Sequence, residues 1–374
     1  MRVLHAYSGN LYGGVEAMLV SLARARVSEM ESVFALAYEG RLAEELRAAG
    51  AEVHVVGAAR LSRPWTVLRA RRRVSRLARE RRMDVLVCHS AWAQAVFGRA
   101  ARAAGIPLAF WLHDALGEGH APDPLARRVR PDLALCNSRF TRETLPRLYP
   151  GIPAEVVYCP VHPPVLSASP DEARRSVRPE LGTGMDEVVF VQVSRMEAWK
   201  GHERHLRALG AMAELPGWKC WMVGGAQRPE ERDHLARLHA LATELGIAER
   251  VVFTGERRDV PGLLAAADVF CQPNREPEPF GVALVEALYA GLPVVATASG
   301  GAAEVVDAEC GIPVPPGDGG ALAEALRRLA ADAGLRRRLG AAGPARARAL
   351  CDPERQARRL HEVLGASVRG RSAA

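Results

Sequence analysis

The sequence predicts an α/β protein of two doubly wound parallel sheets facing a central cleft, and three observations predict it. Short apolar runs alternate with helical stretches of about 10–15 residues, the pattern of strand–helix–strand crossovers. The alternation stops at a proline-rich stretch, residues 160–184, and then restarts, which divides the chain in two. Residues able to carry chemistry gather at or just after the carboxyl ends of predicted strands, where open parallel sheets bind ligands.

Residues 3–7 read as the first strand, residues 8–14 as a glycine-rich loop and residues 15–26 as a helix. Strand 32–37 leads to helix 41–49, closed by Gly50, and strand 53–56 follows. Then come an arginine-rich helix, strand 84–88 and helix 91–104. Strand 108–112 ends in His113-Asp114, and strand 133–136 ends in Asn137-Ser138, with Ser138 placed as a helix N-cap. Beyond residues 160–184, read as an interdomain linker, lie strand 188–193, helix 201–213, strand 218–223, helix 230–245, strand 251–253 and helix 261–267. Strand 269–272 leads into the acidic loop 274–279. A helix opens there at Phe280-Gly281, with Val282, Leu284, Val285 and Leu288 on its buried face. Gly291 closes it, and residues 293–296 are the next buried strand. A short helix after Gly300-Gly301, strand 312–314 and helices following Gly317-Asp318 and Asp352-Pro353 complete the chain.

Composition sets the broad class. Apolar residues are 48% and charged residues 25%, a globular balance, and the length suits two or three domains. No apolar run reaches the roughly 18 residues of a membrane-spanning helix. The first residues lack the apolar stretch and small-residue cleavage site of a signal peptide. Seven scattered cysteines without a Cys-x-x-Cys pair read as reduced, buried thiols, so a cytoplasmic location is expected. Basic residues exceed acidic ones by 7, and eight arginines fall within residues 69–82. That run reads as a solvated helix face, or as a patch for anionic lipid headgroups or an acidic acceptor. Peripheral contact with the inner face of an anionic membrane therefore stays open. Nucleic acid is set aside, because aromatic residues are only 5% and no recognition module is present.

Gly13-Gly14 lets backbone amides approach an anion, or is an ordinary tight turn. Its setting, Gly9-Asn-Leu-Tyr-Gly-Gly14, is not the dinucleotide fingerprint. His113, beside Asp114, is either a surface or capping residue or a hydrogen-bonding partner for a sugar hydroxyl or acceptor oxygen. Arg195 and Lys200, five residues apart on a loop entering a helix, suit a diphosphate as fork and point charge, or are two solvated loop charges. The helix near Gly281 leaves its first amides free to meet an anion. Glu278 and Glu286, with seven residues between them, bracket that helix start and suit the hydroxyl-rich ends of a ligand. Each has an ordinary reading as a surface acid. There is no Asp-x-Asp and no closely spaced metal-ligand set, so charge on a leaving diphosphate would fall to cations and helix amides.

Together these residues resemble the retaining GT-B glycosyltransferases of family 4, the large group 1 class. The stretch Glu278-Pro-Phe-Gly-Val-Ala-Leu-Val-Glu286 is similar to that family's Glu-x7-Glu motif. Val193-Ser-Arg-Met-Glu-Ala-Trp-Lys-Gly201 is similar to its diphosphate-binding segment, Gly13-Gly14 to its amino-terminal glycine loop, and His113-Asp114 to its cleft histidine. The resemblance implies two Rossmann-like domains, residues 1–165 on the acceptor side and residues 166–351 on the nucleotide-sugar side, with a last helix, 352–374, crossing back. It implies a nucleotide-diphosphate sugar donor, a UDP- or GDP-sugar, and transfer with retention to a hydroxyl of a small-molecule, glycan or lipid-linked acceptor. No metal or cofactor is implied. Glu278 would bind the sugar's hydroxyls and Glu286 the ribose. Arg195 and Lys200 would neutralise the diphosphate, helped at the helix start by Phe280, Gly281, Val282 and Ala283. His113 would contact the sugar near the reacting carbon, and the loop 255–260, with Arg257 and Val260, would meet the base. Catalysis would then rest on His113, Glu278, Arg195 and Lys200, through positioning and charge stabilisation and without a protein nucleophile. Acceptor contacts would come from loops 9–14, 90–92 and 117–124.

There are departures from the family pattern. Cys159-Pro-Val-His162 stands where the family often has Asn-Gly-Val-Asp, and Glu276 makes the loop before Glu278 more acidic. A sugar-nucleotide epimerase on the same fold is the alternative, acting on the donor alone. The missing fingerprint counts against a nicotinamide-dependent dehydrogenase, and the joint presence of the candidate charges counts against a non-catalytic binding module.

Overall fold

The computed structural model describes residues 1–25, 27–116, 124–164 and 169–372. Residues 117–123 of the expected acceptor loop, the expected helix end at Arg26, the expected boundary at residues 165 and 166, and the last two residues lie outside these. The chain forms two compact units, Met1–Val161 with Cys351–Ala374, and His162–Leu350.

The first unit holds seven parallel strands: β1 (Arg2–Tyr7), β2 (Glu31–Leu36), β3 (Glu52–Val55), β4 (Val85–His89), β5 (Leu108–Leu112), β6 (Leu133–Cys136) and β7 (Ala154–Val156), in the order β3-β2-β1-β4-β5-β6-β7. β4 and β5 are buried along their whole length, as parallel strands covered by helices on both faces must be. Leu4, Val33 and Leu86 from the sheet pack with Val74 and Phe97 from the covering helices. The closing helix, Pro353–Ser372, belongs to this unit. The Val161 amide bonds the Cys351 carbonyl at 3.0 Å just before it, and its Arg359 pairs with Glu155 at 2.8 Å.

The second unit repeats the plan with β8 (Val188–Val193), β9 (Trp218–Val223), β10 (Val251–Gly255), β11 (Val269–Gln272), β12 (Val294–Thr297) and β13 (Gly311–Val314), ordered β10-β9-β8-β11-β12-β13. Phe190, Leu206, Trp218, Met222 and Leu326 lie in its core. In each sheet the chain builds outward to one side and then to the other. The order reverses between β1 and β4 in the first unit and between β8 and β11 in the second. Open α/β sheets bind ligands at such a reversal, outside the carboxyl ends of the strands.

Two segments differ from the sequence reading. β7 was not expected: three residues long and only partly buried, it has no apolar run to announce it. Residues 160–184, expected as a linker, contain the helix Pro170–Glu180. Its start follows from the sequence, with Ser169 and Glu172 forming a capping box and Pro170 in the first turn. Its Arg178 is fully buried and donates to the carbonyls of Ala266, Gly184, Met185 and Glu187 at 2.8–3.1 Å. Arg178 also pairs with Asp268 at 2.7 Å, and Asp268 takes the Val189 amide at 2.8 Å. The proline-rich stretch is thereby fastened to the entrances of β8 and β11, beneath the reversal.

Candidate functional site

Because β8 and β11 are neighbours, the loop after β8 (194–201) and the loop after β11 (273–281) leave the sheet side by side. Backbone contacts join them. The Arg275 amide donates to the Trp199 carbonyl at 2.8 Å. Gly201 has φ +77°, and a Cβ there would lie 1.9 Å from the Pro273 carbonyl oxygen, so only glycine permits the approach. Gln192, near the end of β8, donates to the Lys200 carbonyl at 2.9 Å and accepts from His205 Nδ1 at 3.0 Å. Burial holds His205 down to about 3, so it serves as a neutral strut.

Glu278 is the centre of this pair of loops. It is 6% exposed, and a carboxylate so far from water needs partners to stay charged. Its Oε2 accepts from Lys200 Nζ at 2.8 Å, Gln272 Nε2 at 2.7 Å and Asn274 Nδ2 at 2.6 Å. All three bonds fall on one oxygen, and Oε1 has no partner among the described residues. Lys200 Nζ also lies 3.9 Å from the centre of the Trp199 ring. The Glu278 backbone is fixed from behind by the turn after β12. Its carbonyl accepts the Gly301 amide at 2.7 Å. A Cβ on Gly300 would lie 2.4 Å from that carbonyl oxygen, and one on Gly301 would lie 2.4 Å from the Pro279 carbonyl oxygen.

The helix expected from Phe280-Gly281 runs Val282–Tyr289. Gly281 precedes it with φ +96°, and a Cβ there would meet Leu284 Cδ1 at 2.5 Å, so a left-handed glycine turns the chain from the Glu278 loop into the helix. Phe280 is buried beside it. The first intrahelical bond runs from the Leu284 amide to the Gly281 carbonyl at 3.0 Å. The amides of Gly281, Val282 and Ala283 precede that bond, and such leading amides favour an anion. Glu286 sits one turn in, partly buried, with no ion pair among the described residues. Loss of solvation pushes its carboxyl up to about 7.

Arg195 does not join Lys200. Its guanidinium is taken by Glu197 and by Glu231, the latter at 3.1 Å and almost fully buried. Arg257 is likewise held, by Asp259 and Glu180 at 2.6 Å each, bonds that raise its guanidinium above the usual range. Val260 opens the helix Val260–Ala266.

In the first unit, Gly13 caps the helix Gly14–Arg24 in extended conformation, and its carbonyl takes the Ala17 amide at 3.0 Å. His113 follows β5 and is 5% exposed. Its Nε2 lies 3.0 Å from His89 Nδ1, and His89 Nε2 lies 2.9 Å from His5 Nδ1. Asn137 Nδ2 holds the His113 carbonyl at 3.1 Å. The arginine run divides by use on the helix Pro64–Glu80. Arg71, Arg73 and Arg79 donate to carbonyls of Ala95, Val96, Val56 and Ala103, and Arg76 and Arg81 pair with Glu80 and Glu52. Arg69 and Arg72, with Arg60 and Arg63 before the helix, have no ion pair among the described residues. On the same side stand Trp65, 66% exposed, and Leu68, 51% exposed.

Sequence reasoning placed Lys200 and Glu278 but not the residues that bring them together. Gln272 and Asn274 carry a signal, as polar residues closing a strand that is otherwise apolar. Gln192 carries the same signal in β8. Gly300 and Gly301 read only as a turn. His5 and His89 gave no local signal, because their link to His113 depends on strand register.

Residues 173–346 match the family described as Glycosyl transferases group 1, and residues 12–163 match Glycosyltransferase Family 4. The Anabaena protein HepE, solved in complex with UDP and glucose, superposes with a TM-score of 0.86 and 26% identity, covering 98% of this chain and 100% of its own. The lipopolysaccharide core biosynthesis glycosyltransferase LpsE of Rhizobium meliloti is 38% identical over 167 residues, 44% of this chain and 46% of the relative. A GDP-mannose-dependent phosphatidylinositol monomannoside mannosyltransferase of Mycolicibacterium smegmatis is 34% identical over 223 residues, 57% of this chain and 56% of the relative. The chain thus aligns with about half the length of these two curated relatives.

The environment of Glu286 makes a prediction. A carboxyl raised to about 7 from its ordinary 4.5 keeps its proton in the folded chain where the unfolded chain has lost it, so stability falls as pH rises from about 4.5 to about 7 and levels off above that. Glu286→Gln should therefore raise the thermal midpoint by several degrees at pH 8 and by clearly less near pH 5. Equal midpoints of variant and parent at both values would contradict the desolvated setting.

Proposed function

We propose that this chain, which belongs to the group 1, family 4 glycosyltransferases of GT-B fold, transfers a sugar from a nucleotide-diphosphate sugar to an acceptor hydroxyl with retention and without a metal ion. The observation that carries this reading is the Glu278 carboxylate, with one oxygen pinned by three donors and the other without a partner among the described residues, next to the leading amides of the Val282–Tyr289 helix. An unbonded carboxylate oxygen suits a sugar hydroxyl, and the amides and Lys200 suit a diphosphate whose charge grows as the bond to the sugar breaks. Glu286 then accepts from the ribose, and the loop with Arg257 and Val260 meets the base. Arg195 joins the diphosphate only by exchanging Glu197 or Glu231 for phosphate oxygen. In the first unit, Gly13-Gly14 and His113 take the roles that the resemblance assigns them. UDP-sugars are the first donors to test, because the HepE complex contains UDP. GDP-sugars come second, because the mannosyltransferase is GDP-mannose-dependent.

The lipid-linked class of acceptor gains support from the face with Trp65, Leu68, Arg69 and Arg72. An exposed indole and leucine among guanidinium groups without an ion pair among the described residues is the chemistry of an interface with anionic lipid. No helix among the described residues is long and apolar enough to cross a membrane, so contact would be peripheral.

Two outcomes are expected. Folded Glu278→Ala and Lys200→Ala should each lose about 100-fold or more in donor turnover, the scale of removing one preorganised electrostatic contact. Near-parental rates in both would sink the assignment. Sedimentation with phosphatidylglycerol-containing vesicles should rise with anionic lipid, fall with salt, and drop in Trp65→Ser and in Arg69→Gln with Arg72→Gln. Binding indifferent to charge and salt would remove the membrane contact.

A further inference from the structure

His113 is the outer end of a row of three imidazoles that runs diagonally across the first unit's sheet. Its origin is register. His5 of β1 is paired with Val87 of β4, so His89 lies one side-chain repeat further along, and His89 is paired with Trp111 of β5, so His113 lies one repeat further again. Each histidine therefore meets the next at a step of two residues, on one sheet face, at 2.9 and 3.0 Å. The rings of His89 and His113 stack at 5.3 Å, and His5 stacks on Phe34 at 5.2 Å.

We propose that His89 and His5 are positioning residues that hold His113 as its neutral Nδ1–H tautomer, so that it offers a hydrogen-bond donor to a ligand oxygen. His5 and His89 have no exposure and His113 has 5%, and this burial holds all three far below the usual histidine range. A neutral imidazole has one N–H and one lone pair, so three in a row must all donate in the same direction. Two arrangements exist, and they differ at the inner end. His5 Nε2 is buried without a partner among the described residues. If the row donated inward, that atom would be an orphaned N–H; if outward, an orphaned lone pair. Orphaned buried N–H groups are the rarer and costlier defect. The Trp111 indole N–H, beside the His89 and His113 rings, is already a buried donor without a partner among the described residues, so inward donation would bury two. The row therefore runs His5 Nδ1–H to His89 Nε2, and His89 Nδ1–H to His113 Nε2, which leaves the His113 proton on Nδ1. No net proton moves, and His113 recognises an acceptor oxygen rather than acting as a base.

That the oxygen belongs to the donor sugar rests on the function proposed above; the tautomer does not. Long-range proton–nitrogen correlation spectra of the ¹⁵N-histidine-labelled full chain, without substrate, read it between about pH 5 and 8. His113 should show a protonated Nδ1, a bare Nε2 and no titration. A protonated Nε2, or titration in that window, overturns the inference and leaves the proposed activity untouched. His89→Phe should release His113 into the other tautomer or an exchanging mixture. His89→Asn, whose amide can donate to His113 Nε2, should restore the parental signature. An unchanged His113 signature in folded His89→Phe would remove the positioning role. If that variant does not fold, the spectrum of the parent chain decides.

Discussion

Three hydrogen bonds converging on one oxygen of Glu278 organise the second unit's site. A carboxylate with so little exposure keeps its charge only through such partners. Those partners come from both strands of the reversal: Lys200 from the loop after β8, and Gln272 and Asn274 from the end of β11 and its loop. Satisfying the carboxylate and holding the two loops in register are thus one act. The close backbone contacts at Gly201, Gly300 and Gly301 keep the loops where those bonds can form.

The two glutamates of the same motif face opposite conditions. Glu278 is buried but compensated by a cation and two amides. Glu286 is partly buried without an ion pair among the described residues, and its carboxyl is raised to about 7. It fits a position whose partner is a ligand hydroxyl, where either protonation state can hydrogen-bond.

Much of the fold was legible because parallel strands buried on both faces leave near-continuous apolar runs, and β5, β6, β8, β9 and β11 fall where those runs do. The capping box at Ser169 was equally present in the sequence, but proline content around it suggested a linker. Pro170 in a first turn is a helix signal, and its position relative to Ser169 and Glu172 mattered more than its abundance. Site chemistry was legible in type but not in pairing. Lys200 and Glu278 are 78 residues apart, and only the strand order brings them together. The arginine run shows the converse limit: charge counted along the chain does not reveal that Arg71, Arg73 and Arg79 cap neighbouring carbonyls, while Arg69 and Arg72 stand beside an exposed Trp65. The imidazole row needed register to within one residue, which local patterns do not supply.

The proposed donor site has Glu278 Oε1 receiving the donor's sugar and the helix start receiving its diphosphate. Calorimetric titration of parent and Glu278→Gln tests it, using the UDP- or GDP-sugar that most raises the thermal midpoint, beside the matching nucleotide diphosphate. The variant should keep or strengthen nucleotide diphosphate binding, because Lys200 is released, while sugar-nucleotide binding should weaken by roughly tenfold or more, as for loss of a hydrogen bond to a charged group. Equal losses for both ligands, or no loss for either, would contradict it.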